Sequence, residues 1–320
     1  MAFPNVSDLI ATTLEHRSKE IADNVTGNNA LLSVLNMDGH IRPFSGGRII
    51  YEELSFADNT NVGWYSGYDT LLVGAADVIS AAEFSIKQAA CPVTVSGLEK
   101  LQNAGKEQLI DLVAARVDVA ESSIANLISA GLYSDGTGTN SKQLTGLLAA
   151  VPVDPTTGTY GGINRANYTF WRSYALDTNA APSASTIQSK FNTAWANLVR
   201  GKDRPNLITC DDDVWAAYMA SLQTNQRFTD GKLAQLGFST VKFMSADVVM
   251  DSGVGGDHTD VTAFFLNTKY LHFRPHKDCN MVPLSPDRAA INQDATIKIL
   301  GWAGNLTCSN SKLQGQIVFS

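Results

Sequence analysis

Residues 46–60, GGRIIYEELSFADNT, and residues 79–97, ISAAEFSIKQAACPVTVSG, decide the fold. In the first, Ile50, Glu52 and Leu54 alternate with Tyr51, Glu53 and Ser55, the period-two pattern of a half-buried strand. The second is strand-like again. Between them NVGWYSGYD (61–69) supplies glycines and aromatics for a turn. The pattern predicts two strands of about 20 residues, each limb reaching on the order of 60 Å at roughly 3.3 Å per residue. A two-stranded ribbon is only marginally stable in water. A hairpin this long therefore needs something to lie on, and a neighbouring copy of the chain is the simplest support.

Downstream, Leu109, Val113, Val117, Ala120, Ile124, Leu127 and Gly131 recur at helical spacing, and Ile110, Ala114 and Ile128 widen the stripe. From Lys106 to Ser129 that helix would be about 35 Å long. Gly136 and Gly138 supply its stop. The stripe is too broad and too short for a coiled coil, so it predicts packing on a sheet. Upstream, residues 1–45 read as an arm, with a short helix over Val6–Asn24 and then the Asn- and Gly-rich NVTGNNALLSVLNMDG.

Residues 135–181 are loop-rich. Residues 182–275 read as a separate α/β unit. There Ser185 caps a helix with the face Ile187, Phe191, Trp195 and Leu198, and Gly201 lies just beyond it. NLITC (206–210) is strand-like, residues 211–223 are helical, and STVKF, DVVMD, TAFFL and KYLHF are strand candidates. Residues 276–320 return to strand, with ATIKILGWAGNLTCSN the longest run. The strand–helix alternation with mixed pairing in 182–275 fits an α/β or α+β lobe.

At 320 residues the chain suggests about two folding units. It is 44% hydrophobic and only 17% charged, against roughly 25% charged in an average domain. That balance excludes intrinsic disorder and implies that something other than water covers much of the surface. The net charge is −7, with no run of three basic residues, unlike a sequence-specific nucleic-acid reader. No window has the length and apolarity of a transmembrane helix, and the N-terminus carries no secretory signal. Cys91, Cys210, Cys279 and Cys308 lie far apart, which favours reduced thiols in a cytosolic setting. The sequons at Asn5, Asn24, Asn167 and Asn305 are then idle.

The search for chemistry finds little. HFRPHKDC offers His272, His276, Asp278 and Cys279, but Pro275 breaks any helix that would align the histidines, and a second ligand pair is missing. A strand end followed by a polar turn is the expected reading, with no metal and no cofactor. Asp211, Asp212 and Asp213 follow a strand and precede a helix, where acidic residues suit the helix N-terminus. No phosphate loop, dinucleotide fingerprint or nucleophile elbow is present. Glu52 and Glu53 are adjacent on a strand and point to opposite faces, so they form no catalytic pair. Trp64, Tyr65 and Tyr68 crowd the hairpin tip, where exposed aromatics mark an interface.

Four stretches carry a resemblance: AAEFSIKQAACPVTVSGLEKLQN (81–103), LYSDGTGTNSKQLTGLLAAV (132–151), GGINRANYTFWR (161–172) and GWAGNLTCSNSKLQGQ (301–316). In that order, the chain resembles major capsid proteins of tailed bacteriophages with the HK97 fold. The resemblance implies an N-terminal arm (1–45) and an extended hairpin, or E-loop, over the neighbouring subunit (46–90). It implies a peripheral domain (91–181) with a spine helix at 105–131, an axial domain (182–275) and a return to the peripheral domain (276–320). It implies subunit contacts at Trp64, Tyr65, Tyr68, Glu52, Glu53 and Lys87, with an axial loop at Gly253, Gly255 and Gly256.

The function so implied is structural. Copies would assemble into hexamers and pentamers, closing an icosahedral phage head around double-stranded DNA contacted without sequence specificity. Partners would be other copies, a portal, a separate scaffolding protein and a decoration protein, with no membrane. Some relatives carry a scaffolding segment before the arm and none is read here, so either a separate scaffolding protein is expected or the segment was never needed. Some relatives cross-link lysine to asparagine between subunits. Lys87 matches no such motif, and no cross-link is expected. An encapsulin-like cellular compartment shares the fold and is the alternative. An enzyme using Asp211–Asp213 or His272 and His276 is the remaining one.

Overall fold

The computed structural model describes residues 29–71, 73–96, 106–222, 240–251, 262–289 and 295–319. The helix expected over Val6–Asn24 lies outside the described residues, as do Gly253, Gly255 and Gly256.

The first described element corrects the reading of an arm. Helix α1 (Ala30–Met37) buries Ala30, Leu31, Leu32 and Leu35 completely. Asn29 caps it by accepting from the Leu32 N–H at 3.0 Å, and donates to Ser129 Oγ at 2.7 Å. The next residues join a sheet. The Phe273 N–H donates to the His40 carbonyl, Arg42 N–H to Phe273, Phe44 N–H to Pro275 and Lys277 N–H to Phe44. Thus 29–44 is core and sheet edge.

Strands β1 (Ile49–Ser55) and β2 (Ile79–Ser85) pair antiparallel, from Ile49 opposite Ser85 to Ser55 opposite Ile79. The alternation is as read: Ile50, Glu52 and Leu54 face inward, and Tyr51, Glu53 and Ser55 face out. The limbs are seven residues each, not about 20. β3 (Lys87–Ser96) leaves the hairpin and pairs with another strand. The base of the ribbon also needs no neighbour, because Ile50, Leu54, Ala82 and Phe84 join the chain's own core.

Helix α2 (Lys106–Tyr133) is the long helix expected. Its buried seam runs through Val117, Ala120, Ile124, Ile128 and Leu132, and Leu127 is exposed, contrary to the sequence stripe. A loop region follows, holding the short hairpin β4 (Thr159–Tyr160) and β5 (Ile163–Asn164) and then β6 (Tyr174–Asp177).

Helices α3 (Ile187–Leu198) and α4 (Asp212–Ser221) flank strands β7 (Leu207–Cys210), β8 (Thr240–Phe243), β9 (Ala246–Met250) and β10 (Thr262–Leu266). Thr186, not Ser185, stands at the start of α3 and makes no side-chain cap, and Trp195 is only partly buried. β11 (Leu271–Ala289), β12 (Ala295–Cys308) and β13 (Gly315–Val318) complete the chain. β11 contradicts the strand end expected at Pro275. It runs through that residue with register shifts between Pro275 and Asn280, the irregularity a missing N–H makes.

One sheet has the order β11-β12-β3, and another the order β6-β13-β10-β7-β9-β8. The second takes β6 and β13 from outside residues 182–275. In β10 all five residues are buried, with Phe264 and Leu266 in the core beneath α1 and α2, and Ala263 and Phe265 facing α3 and α4. A sheet covered on both faces explains why TAFFL is uninterruptedly apolar.

Candidate subunit interface

The hairpin's last ladder bond is from Phe56 N–H to the Val78 carbonyl at 3.1 Å. Beyond it the tip is held by its own turns. Asn61 Nδ2 donates to the Gly74 carbonyl at 2.7 Å, Ser66 N–H to Asp69 Oδ2 at 2.8 Å, and Gly67 adopts φ +53°. On this frame Trp64 and Tyr68 are fully exposed, and Val62, Tyr65, Leu71 and Val73 are mostly so. That many large apolar side chains in one place is uncommon on a monomer and marks a binding surface. Residues 56–78 also carry Asp58, Asp69 and Asp77 and no lysine, arginine or histidine.

The expected contact residues part company. Trp64, Tyr65 and Tyr68 face solvent together. Glu53 is exposed too, but on β1 at the base of the hairpin. Glu52 is withdrawn from any contact surface: it is buried, accepts from Thr307 Oγ1 at 2.9 Å, and pairs with Arg274 at 3.3 Å. Alternation put Glu52 and Glu53 on opposite faces, but the inward face was set by β11 and β12, far along the chain. Lys87 is half-buried, donates to the Ser141 carbonyl at 2.5 Å, and burial lowers its pKa.

Along the outer edge of β3 runs a groove with α2 as its other wall. One cavity of about 370 Å³ is lined by Cys91, Pro92, Thr94, Arg116, Val119 and Ser123. A second, about 380 Å³, is lined by Lys87, Ala89, Leu127, Lys142, Gln143 and Trp302. Consecutive residues of β3 line both, so the groove follows the strand's edge rather than one face. Leu127 and Val119 are exposed here. A helical stripe alone could not find this feature, because Leu127 fits the apolar period and only the position of β3 turns it outward.

The architecture was then compared with known proteins. No family model matches the chain, and no curated protein matches it. Solved structures do. The capsid asymmetric unit of cyanophage A-1(L) matches at TM-score 0.65 and 16% identity, over 88% of this chain and 90% of that one. The capsid of an empty GTA particle matches at TM-score 0.60 and 13% identity, over 89% of each chain. The capsid of Myoviridae phage XM1 matches at TM-score 0.51 and 13% identity, over 89% of this chain and 92% of that one. The chain has the HK97 capsid fold.

Within this HK97 fold His272, His276, Asp278 and Cys279 are not brought together as a ligand group among the described residues. His272 is buried against His40, ring centroids 5.4 Å apart, and its pKa is pushed down to about 4 by burial and by Arg42, His40 and Arg274. His276 packs edge-on against Phe44 and accepts from the Asp278 N–H at 3.1 Å. Among the described residues the only three grouped ligand side chains are Asp211, Asp212 and Asp213. They open α4, with Asp211 at the N-cap and the other two exposed in the first turn. Burial raises the pKa of Asp211. Asp211 makes no side-chain cap hydrogen bond to the helix, so the expected capping is limited to acidic residues standing where the helix dipole favours negative charge. All four cysteines are free thiols, and burial pushes Cys308 up to about 12 and Cys210 higher still. No described helix is long and apolar enough to cross a membrane.

Sequence reasoning missed one buried cation. Arg165 donates to the Ala149 and Ala150 carbonyls at 2.5 and 2.9 Å and lies 5.1 Å from the Tyr160 ring centroid. It ties the 147–150 turn to the β4–β5 hairpin. No local pattern in GGINRANYTFWR distinguishes it from a surface arginine.

Proposed function

We propose that the chain is a major capsid protein whose copies self-assemble into hexamers and pentamers, closing an icosahedral head around double-stranded DNA. Its role is structural, not enzymatic. The observation that carries this reading is a capsid fold matched over 88% of this chain and 90% of the other. The exposed aromatic tip adds support, because it is a surface that one copy leaves bare. Many such contacts can each be weak, since shell closure makes them multivalent. A net charge of −7 suits a wall that confines DNA without gripping it.

In this reading Trp64, Tyr65, Tyr68 and Glu53 touch the neighbouring subunit, Lys87 lies at the same boundary, and Gly253, Gly255 and Gly256 face the capsomer axis. A separate scaffolding protein, a portal and a decoration protein complete the particle, which is assembled in the host cytoplasm. The precursor shell expands by hinge and rigid-body shifts. Negative-stain electron microscopy of the purified protein, alone and with its neighbouring gene products, tests this. Closed shells or hexameric rings are expected. Compact monomers at every concentration, with or without those products, overturn it. Shells filled with an enzyme cargo and no DNA would turn the reading to a cellular compartment.

A further inference from the structure

The sheet β6-β13-β10-β7-β9-β8 carries opposite charge at its two ends. β6, β13, β7 and β9 run the same way, with β10 antiparallel between β13 and β7. Where these parallel strands end, the chain places Asp177, Asp211, Asp212, Asp213 and Asp251. Where they begin, it places Arg200, Lys202 and Arg204 ahead of β7, Lys269 just beyond β10 and Lys312 ahead of β13, all exposed. The carboxylates at this basic end are already engaged. Asp203 accepts from Lys269 Nζ at 3.0 Å and from Tyr270 Oη at 2.9 Å. Asp247 pairs with Lys242 at 3.6 Å, and Asp38 accepts from Thr268 Oγ1 at 2.9 Å. Arg200, Lys202 and Arg204 form no ion pair among the described residues.

These cations stand on a braced turn. The Arg200 N–H donates to the Asp203 carbonyl at 2.8 Å and the Asp203 N–H to the Arg200 carbonyl at 3.1 Å, closing the chain around Gly201 at φ +63°. Asn206 Nδ2 donates to Thr268 Oγ1 at 2.6 Å, and the Thr268 N–H to Asn206 Oδ1 at 2.9 Å, lacing that turn to the 267–270 loop. A turn held this way loses little backbone freedom when it binds. The surroundings say what kind of partner fits. Over 199–206 and 267–270 the one large hydrophobic that stands exposed is Val199. A protein-docking surface has an apolar core inside its polar rim, as the hairpin tip offers and this end does not. Phosphate contacts ask for cations and little else.

We propose that this basic end is a contact for the phosphate backbone of duplex DNA, with Arg200, Lys202 and Arg204 paired to phosphates. The inference rests on the capsid reading and deepens it by naming the residues that touch the packaged duplex. Three contacts of this kind are independent of base sequence, weak and sensitive to salt. A chain of net charge −7 then touches DNA at one end of one sheet and repels it elsewhere.

Acetylation of lysines in intact heads tests it. DNA-filled heads and heads emptied of DNA are treated alike with acetic anhydride, digested and analysed by mass spectrometry. Lys202 is expected to react at least fivefold more slowly in filled heads, and that protection should fall as salt is raised. In the Arg200→Gln, Arg204→Gln variant, whose exposed substitutions leave the fold intact, the protection of Lys202 should drop by half or more. Equal reactivity in filled and emptied heads overturns the contact. Protection in both overturns it too, because a protein then covers the site. Protection indifferent to salt and to the variant overturns the phosphate pairing, since crowding alone would produce it. Each of these results leaves the capsid reading standing. A protein that forms no DNA-filled heads under any condition overturns the capsid reading, and the contact with it.

Discussion

The base and the tip of the hairpin come from one continuous stretch of chain, yet they meet different fates. At the base, every second residue of β1 turns onto the core, and Ala82 and Phe84 of β2 do the same. At the tip, side chains of equal or greater apolar area stand in solvent. Propensity does not separate the two, since both are rich in aromatic and aliphatic residues. What separates them is a partner: β4, β11 and β12 pack against the base, and the aromatic side chains of the tip are left exposed. The boundary at Phe56 and Val78 is where a single copy's own burial ends.

The largest test of that boundary is in the base. Phe84 is 3% exposed and packs edge-on against Tyr160, ring centroids 5.3 Å apart. Phe84→Ala is expected to cost the unassembled chain about 3–5 kcal/mol, the range for emptying a buried aromatic site. Urea denaturation checks it. A loss under 1 kcal/mol would mean that the base, like the tip, is stabilised only on assembly.

Segment 40–44 sharpens the comparison from another side, because it too is short and locally undistinguished yet is held like the base. His40 of this segment faces His272 of β11, with Arg42 and Arg274 contributing positive charge and Asp38 negative. Burial lowers both imidazoles below their ordinary 6.5, His272 to about 4. Between those values the unfolded chain binds more protons than the folded one. Stability is therefore full above pH 6.5 and falls as the pH drops toward 4, by up to about 3 kcal/mol for the His272 shift. Denaturation midpoints across that range check this, and His272→Phe should flatten the slope.

These two regions also show how much the sequence could reveal. The alternation in β1 and the existence of α2 were legible because each is a local period. The hairpin's length was not. Residues 79–96 read as one strand because β2 and β3 share the same period, and the change of partner at Ile86 leaves no mark on it. ALLSVL read as arm because five apolar residues and a serine between Asn- and Gly-rich flanks carry no periodic signal. Their burial comes from β11 and α2, which are remote in sequence. The aromatic trio at the tip was legible as an exposed cluster, since turn residues surround it. The groove between α2 and β3 was not, because its two walls come from separate elements and meet only in the fold.

A smaller effect is expected where the base meets the β4–β5 turn. Gly161 has φ +57°, and a Cβ there would lie 3.0 Å from Ala82 Cβ and 3.1 Å from Phe84 Cζ. Its carbonyl also accepts from the Glu83 N–H at 2.9 Å. Gly161→Ala combines left-handed backbone strain with crowding against the base, for about 1–2 kcal/mol. Thermal unfolding should register a drop of several degrees. Gly67, at φ +53° in the tip with no atom near its Cβ position, should show only the backbone part of that penalty.

The smallest effect on the chain is the one that decides what the tip is for. Trp64 and Tyr68 touch little in their own copy, so Trp64→Ala with Tyr68→Ala should leave the unassembled chain within about 0.5 kcal/mol of its original stability. If the tip only decorated the surface, assembly would be equally unmoved. If it is the contact on which neighbouring copies meet, the same two truncations remove the anchors of that interface, each worth on the order of 2 kcal/mol. Shell closure repeats the contact in every subunit, so the concentration needed for assembly should rise by a hundredfold or more. Light scattering against protein concentration reads this directly. The variant that matters is therefore the one that denaturation cannot distinguish from the parent chain. A folded protein that no longer closes shells would place the loss between copies rather than within one.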